Sequence, residues 1–128
     1  MLSRSINLYK NLQKRYSRRI NLNLERIQKV LTVLGFPHLE LQQPVNILGS
    51  DGKMSTLTSI RYFLQAHKRN VTTFTSPHLY DVRHRLWLKN RFITLKELKK
   101  YTRLIESTRL KLTLFELLTC VYILAAKD

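Results

Sequence analysis

Val45-Asn46-Ile47-Leu48-Gly49-Ser50-Asp51-Gly52-Lys53-Met54-Ser55-Thr56 is the stretch on which the fold of this chain turns. After Pro44, a short apolar and partly β-branched run, 45–48, breaks off at Gly49 into a Gly/Ser/Asp/Gly cluster, as a strand does when it gives way to a loop. Leu57, Ile60, Phe63 and Leu64 then recur at helical spacing, which predicts a helix over 54–67. Strand, glycine-rich loop and helix form the context that a phosphate-binding loop requires. Glycines let the main chain approach phosphate oxygens, successive amide N–H groups and the helix N-terminus supply positive potential, and Lys53 adds a full charge. The spacing departs from the strict G-x-x-x-x-G-K-[ST] pattern, because Ile47 stands at the first glycine position and Met54 follows the lysine. The plainer alternative is a glycine-rich turn ahead of a helix, with a solvated lysine.

Downstream, 71–75 is β-branched and aromatic as a second strand should be, and strand–helix–strand implies a parallel pair with a right-handed crossover. Ligands gather at the carboxyl ends of such strands, so Thr75-Ser76-Pro77-His78-Leu79 is expected beside the loop, with Ser76 within reach of a metal bound to phosphates. Taken alone, a Ser-Pro after a strand is a turn, and His78 is a hydrogen-bonded structural residue. Alternation over 82–88, a turn at Lys89-Asn90 and a return over 91–93 predict a hairpin. Two capping boxes, Thr94 with Glu97 and Thr113 with Glu116, open helices over 95–106 and 114–126.

Upstream, Leu24, Ile27, Leu31 and Leu34 predict a helix over 24–34, capped by Asn23 and stopped by Gly35 and Pro37. Before it the chain is rich in Arg, Lys and Ser and has no acidic residue ahead of Glu25. That is the composition of a mitochondrial transit peptide, but Ile6, Tyr9, Leu12, Gln13 and Tyr16 also share one face of a basic amphipathic helix. No apolar run is long enough to span a bilayer or to serve as a secretory signal, so neither membrane insertion nor export is expected. The single Cys120 lies in an apolar run and packs as a small hydrophobe, which suits a reducing cytoplasm.

The 128 residues suffice for one domain, and neither an internal repeat nor a long linker suggests a second. A formal charge of +15 gives a surface that attracts polyanions such as nucleic acid, nucleotides or anionic lipid.

Four segments, Ile20-Asn21-Leu22-Asn23-Leu24-Glu25-Arg26-Ile27, the loop 49–56, the stretch 75–79 and Leu112-Thr113-Leu114-Phe115-Glu116, stand in the order and spacing seen in the N-terminal region of folylpolyglutamate synthase/dihydrofolate synthase. From about Leu8 onward the chain resembles that family, part of the Mur ligase superfamily. The fold this implies is α/β: an incomplete P-loop-type three-layer domain with a short parallel sheet, a β-hairpin and flanking helices, a truncated Mur-ligase-like central domain spanning 1–128.

The activity it implies is an ATP-dependent ligation that joins L-glutamate to a folate or dihydropteroate carboxylate through an acyl phosphate. By the same resemblance Gly49, Ser50, Asp51, Gly52, Lys53, Met54, Ser55 and Thr56 would hold ATP, Lys53 would neutralise the transferred phosphoryl, and Ser76 would bind Mg²⁺. Leu22, Asn23 and Leu24, with Thr113, Leu114, Phe115 and Glu116, would line the pterin side. Phe115 offers a ring a flat face, or anchors the core.

Several positions depart from the family. Asp51 stands where Asn is usual and would repel a triphosphate, while Met54 and Asn23 replace glycines, Asn being the more tolerant of positive φ. The family's remaining metal ligands, its modified lysine and its glutamate-binding C-terminal domain find no counterpart up to Asp128. The chain is therefore expected to be inactive alone, with a separate or missing C-terminal segment. Two other readings stand beside this one. In the first, Arg83, Arg85, Lys89 and Arg91 near Trp87 and Phe92 make a small basic module for RNA or another polyanion, although no nucleic-acid motif accompanies the charge. In the second, the chain is a nucleotide-binding remnant without catalysis.

Overall fold

The computed structural model describes residues 2–19 and 21–128; Met1 and Ile20, the first residue of the 20–27 segment, lie outside them. Among the described residues the order is α1 (Leu2–Arg15), α2 (Glu25–Val33), α3 (Lys53–Ala66), β1 (Thr73–Phe74), β2 (Leu86–Leu88), β3 (Arg91–Phe92), α4 (Leu95–Glu106) and α5 (Leu114–Lys127). The chain is thus mixed α/β, with helices around a small sheet.

The core is organised by α5, which is apolar on nearly every side and therefore buried nearly all round. Leu117, Leu118, Cys120 and Val121 are fully enclosed. Leu98, Tyr101 and Ile105 form the stripe by which α4 packs on α5. Leu12 from α1, Val30 from α2 and Leu86 from β2 close the same cluster. Enclosing one such leucine is worth about 1.5–3 kcal/mol. The basic N-terminal segment is accordingly an amphipathic helix whose apolar face joins the core.

Both capping boxes form. In the second, the Thr113 hydroxyl oxygen accepts from the Glu116 N–H at 3.3 Å, and a Glu116 carboxylate oxygen accepts from the Thr113 N–H at 2.7 Å. The N-cap of α2 is Leu24, which has no side-chain cap bond, rather than the expected Asn23; Asn23 stands one residue earlier and its Oδ1 accepts from the Glu25 N–H at 2.7 Å. The backbone of Asn23 is not left-handed, so the glycine it replaces is not needed for a positive φ.

The sheet departs from expectation. Its order is β1-β2-β3 and both pairings are antiparallel, with Thr73 opposite Trp87 and Trp87 opposite Phe92. The expected parallel pair is absent among the described residues, and 45–48 pairs with nothing. A strand exists only through its neighbours' hydrogen bonds, and among the described residues none is made to 45–48. The second strand shrinks from 71–75 to Thr73–Phe74, and Val82–Arg85 winds into a 3₁₀ turn rather than extending. Asp81 causes that turn by accepting from the Arg83 N–H at 3.0 Å.

α3 spans Lys53–Ala66, one residue earlier at each end than the expected 54–67, and none of its residues is buried. It meets the sheet through Arg61, whose guanidinium lies 4.3 Å from the Trp87 ring centroid.

Candidate functional site

The loop 49–52 delivers the chain into α3 through two left-handed glycines, Gly49 at φ +148° and Gly52 at φ +71°. A side chain at Gly52 would be strained by that φ alone, so the turn selects glycine there. The Thr56 N–H is the first to find a helical acceptor, the Gly52 carbonyl at 2.9 Å. Among the described residues the amides of 49–55 donate to no acceptor, and no side chain caps α3. Unspent amides at a helix N-terminus make a concentrated positive pole.

Lys53 folds back over this loop, its ammonium donating to the carbonyls of Gly49 and Ser50, the latter at 3.0 Å. Asp51 stays exposed. Met54 occupies the first turn of α3, a helical position that does not call for glycine. Ser50, Ser55 and Thr56 are likewise at the surface.

A second locus forms where the chain's ends meet. A cavity of about 390 Å³ is lined by Ser76, Thr113, Leu114, Phe115 and Glu116, together with Tyr9, Arg18, Arg19, Asn21 and Arg85. It lies beside the point where the Leu114 N–H donates to the Ser17 carbonyl at 2.9 Å, tying the segment before α2 to the start of α5. Phe115 is half exposed, and its ring stands 5.8 Å from that of Phe74, so it flanks the cavity rather than anchoring the core. Glu116 is buried, and Arg26 donates to it at 2.9 and 3.3 Å. Burial pushes its carboxyl up, but hydrogen bonds from Arg26 and Thr113 outweigh this and leave it below the usual range.

Thus Thr113, Leu114, Phe115, Glu116 and Ser76 come together. Leu22, Asn23 and Leu24 do not line the cavity; they run along the exposed connector beyond Asn21. The loop 49–56 shares neither this cavity nor a hydrogen bond with Ser76. The sequence also missed Tyr9, Arg18, Arg19 and Arg85. Nothing local marks them, because only the packing of α1 against the 82–85 turn carries Tyr9 and Arg85 to one wall.

Arg85 organises that wall. Its Nε donates to His78 Nδ1 at 2.8 Å and its Nη1 donates to Ser76 Oγ at 3.3 Å. His78 is therefore an acceptor at Nδ1, packed edge-on against Tyr9 with ring centroids 4.5 Å apart. Burial, followed by the charge of Arg85, lowers its pKa below the ordinary 6.5.

This arrangement tests the metal expected at Ser76. The Ser76 hydroxyl already accepts from a guanidinium, whose charge repels a cation, and the Glu116 carboxylate is engaged by Arg26. No group of three or more His, Cys, Asp or Glu side chains able to hold a metal occurs among the described residues. The described side chains around Ser76 by themselves do not fit a divalent ion.

The hairpin charges are similarly engaged. Arg83 pairs with buried Asp81, donating from Nε at 2.9 Å, and Arg91 pairs with Glu97 at 2.7 Å. Lys89 reaches the Asp128 carbonyl at 3.4 Å, and the Trp87 face is covered by Arg61. Among the described residues no helix is long and apolar enough to cross a membrane.

No protein-family model matches the sequence. The dihydrofolate synthetase of Saccharomyces cerevisiae is 37% identical over an alignment of 105 residues that covers 79% of this chain and 24% of the yeast protein. A solved folylpolyglutamate synthase of Thermotoga maritima superposes with a TM-score of 0.82 at 25% identity, over 98% of this chain and 30% of that one. The bifunctional folylpolyglutamate synthase/dihydrofolate synthase of Yersinia pestis, solved with AMPPNP and a manganese ion, gives 0.77 at 26% identity over 95% and 30%. The chain spans about a quarter to a third of the length of these relatives. Over about four fifths of its length in sequence and nearly all of it in fold, then, the chain is similar to a segment of the folylpolyglutamate and dihydrofolate synthases.

Proposed function

We propose that residues 49–56 hold the phosphates of ATP, and that the cavity beside Phe115 receives the ring system of a folate or dihydropteroate whose carboxylate is to be joined to L-glutamate. The observation that carries this reading is the set of unspent amides from 49 to 55 at the N-terminus of α3, with the Lys53 ammonium above them. Lys53 would exchange the Gly49 and Ser50 carbonyls for phosphate oxygens, trading neutral acceptors for charged ones. The nucleotide analogue in the Yersinia enzyme supports the choice of ligand.

In such a ligation the substrate carboxylate takes the terminal phosphoryl group of ATP and ADP leaves. The glutamate amine then attacks the acyl phosphate, and phosphate leaves as the amide forms. The work of this chain's residues is to position and to neutralise: the loop amides and Lys53 screen the phosphates, Phe115 offers a flat apolar face, and Thr113 lines the cavity beside it. The manganese in the Yersinia structure speaks for a divalent ion, Mg²⁺ in the cell, entering with the nucleotide. Its protein ligands would come from the part of the ligase fold outside this segment. The chain by itself is expected to bind nucleotide without turnover. A cytoplasmic location suits these substrates and the buried, unpaired Cys120. The ion pairs that engage Arg83 and Arg91 favour this reading over a polyanion-binding hairpin.

Calorimetric titration with Mg·ATP tests the assignment. Lys53→Ala is expected to weaken binding by about tenfold or more, the loss of one charge-assisted contact. Equal affinity in both proteins removes Lys53 from its role, and no binding to either removes the loop.

A further inference from the structure

We infer, resting on the reading of the cavity beside Phe115 as the ring site, that this cavity also takes pterin-like rings bearing a compact oxyanion, a carboxylate or phosphate on a short arm, and that Arg18, Arg19 and Arg85 hold the anion.

The charges of the lining come first. Three guanidinium groups, those of Arg18, Arg19 and Arg85, line the cavity against one carboxylate, Glu116. That carboxylate is engaged by Arg26, and Asp81, which caps the 82–85 turn, is engaged by Arg83. The ion pairs among the described residues involve Arg15, Arg26, Arg83, Arg91, Lys100 and Lys127, and none of the three lining arginines. Guanidiniums around one cavity with no carboxylate to answer them concentrate positive potential there.

Arg85 shows why such a site calls for an anion. It is half-buried, and its acceptors, His78 Nδ1 at 2.8 Å and Ser76 Oγ at 3.3 Å, are both neutral. A cation drawn out of water without a counter-ion is unfavourable, and burial accordingly pulls its pKa below the usual guanidinium range. Arg18 and Arg19 are exposed, and among the described residues only the Arg19 main-chain N–H, not either guanidinium, donates a hydrogen bond. Planar forks of this kind bind carboxylate or phosphate oxygens two at a time.

The carboxylate that the ligation activates is not this anion. It has to reach the phosphates held by 49–56, and that loop contributes no residue to the cavity. An anion at the arginines therefore belongs to the ring end of the ligand. A volume of about 390 Å³, with Phe115 on one side, suits a bicyclic ring with a short arm. Ligands of this class occupy the ring site in competition with the substrate of the ligation.

Calorimetric titration of residues 1–128 with pterin, pterin-6-carboxylate and inorganic phosphate tests the assignment. At pH 7 and low salt the carboxylate is expected to bind at least about tenfold more tightly than pterin, and raised salt should shrink that gap. Arg18→Gln combined with Arg19→Gln should bring the two ligands to within about twofold of each other while leaving Tm unchanged, because both side chains are exposed and hold nothing else in place among the described residues. Equal affinity of the unaltered chain for pterin and its carboxylate overturns the anion site and leaves the ring assignment standing. Binding of neither removes the ring assignment, and the anion site with it. A tenfold preference that survives in the double variant takes the anion away from Arg18 and Arg19. Inorganic phosphate binding as tightly as pterin-6-carboxylate also overturns the assignment, since the ring would then add nothing.

Discussion

Replacing Glu116 with alanine separates a structural role for that carboxylate from one confined to a ligand. Glu116 closes the capping box of α5 and holds Arg26 of α2, so its removal opens the helix N-terminus and strands a guanidinium. Loss of the cap costs about 1 kcal/mol. Breaking a fully buried pair costs about 3–5 kcal/mol, but the Arg26 side chain is 32% exposed and water recovers most of that, leaving about 1–2 kcal/mol. The expected loss is therefore about 2–3 kcal/mol. An unfolding entropy of about 2.1 cal/mol/K per residue over 128 residues converts this to a fall in Tm of about 7–11 °C. Urea and thermal unfolding at pH 7 measure it. Glu116→Gln, which keeps an acceptor for the Thr113 N–H, should lie between the wild type and the alanine variant. Because the folded carboxyl titrates below its ordinary 4.5, its contribution is complete above that value. It is lost as pH falls through the lowered folded value, and the gap between wild type and Glu116→Ala should close in acid. A loss under about 0.5 kcal/mol at pH 7 would refute the reasoning and leave Glu116 free for a ligand.

Cys120 is enclosed by the core and burial pushes its thiol up to about 12, so it should resist a thiol reagent at pH 8 in the folded protein and react at once in denaturant. Rapid labelling of the native chain would mean that α5 is not packed as described. Glu97 is held down to about 2, first by the hydrogen bond from Arg91, so its contribution is present above 4.5 and disappears between there and about pH 2. Since the Arg91 side chain is 56% exposed, Arg91→Gln should cost about 1 kcal/mol or less at pH 7 and nothing at pH 2, read from urea midpoints. His78 should titrate below 6.5 by NMR, and Arg85→Gln should raise its midpoint by removing the neighbouring charge; an unmoved midpoint would show that the two do not interact.

What the sequence alone determined is what neighbouring residues settle among themselves. Thr94 with Glu97 and Thr113 with Glu116 start their helices by bonds spanning three residues, and the periodicity of Leu98, Tyr101 and Ile105 names the face that is buried. Gly52 and Lys53 mark where loop becomes helix, because a left-handed turn followed by free amides is written into those residue types. Strand pairing was decided only by the tertiary structure. Thr73 has as much reason to pair in parallel with 45–48 as antiparallel with Trp87, and the choice falls to whichever segment the packing of α5 and the hairpin brings close. The cavity beside Phe115 is of the same kind. Arg85 reads as one charge among several on a hairpin until the 82–85 turn lies against α1, and then it faces Ser76 and His78. Contacts between residues many tens of positions apart depend on how whole elements settle into one core, and no local pattern encodes that.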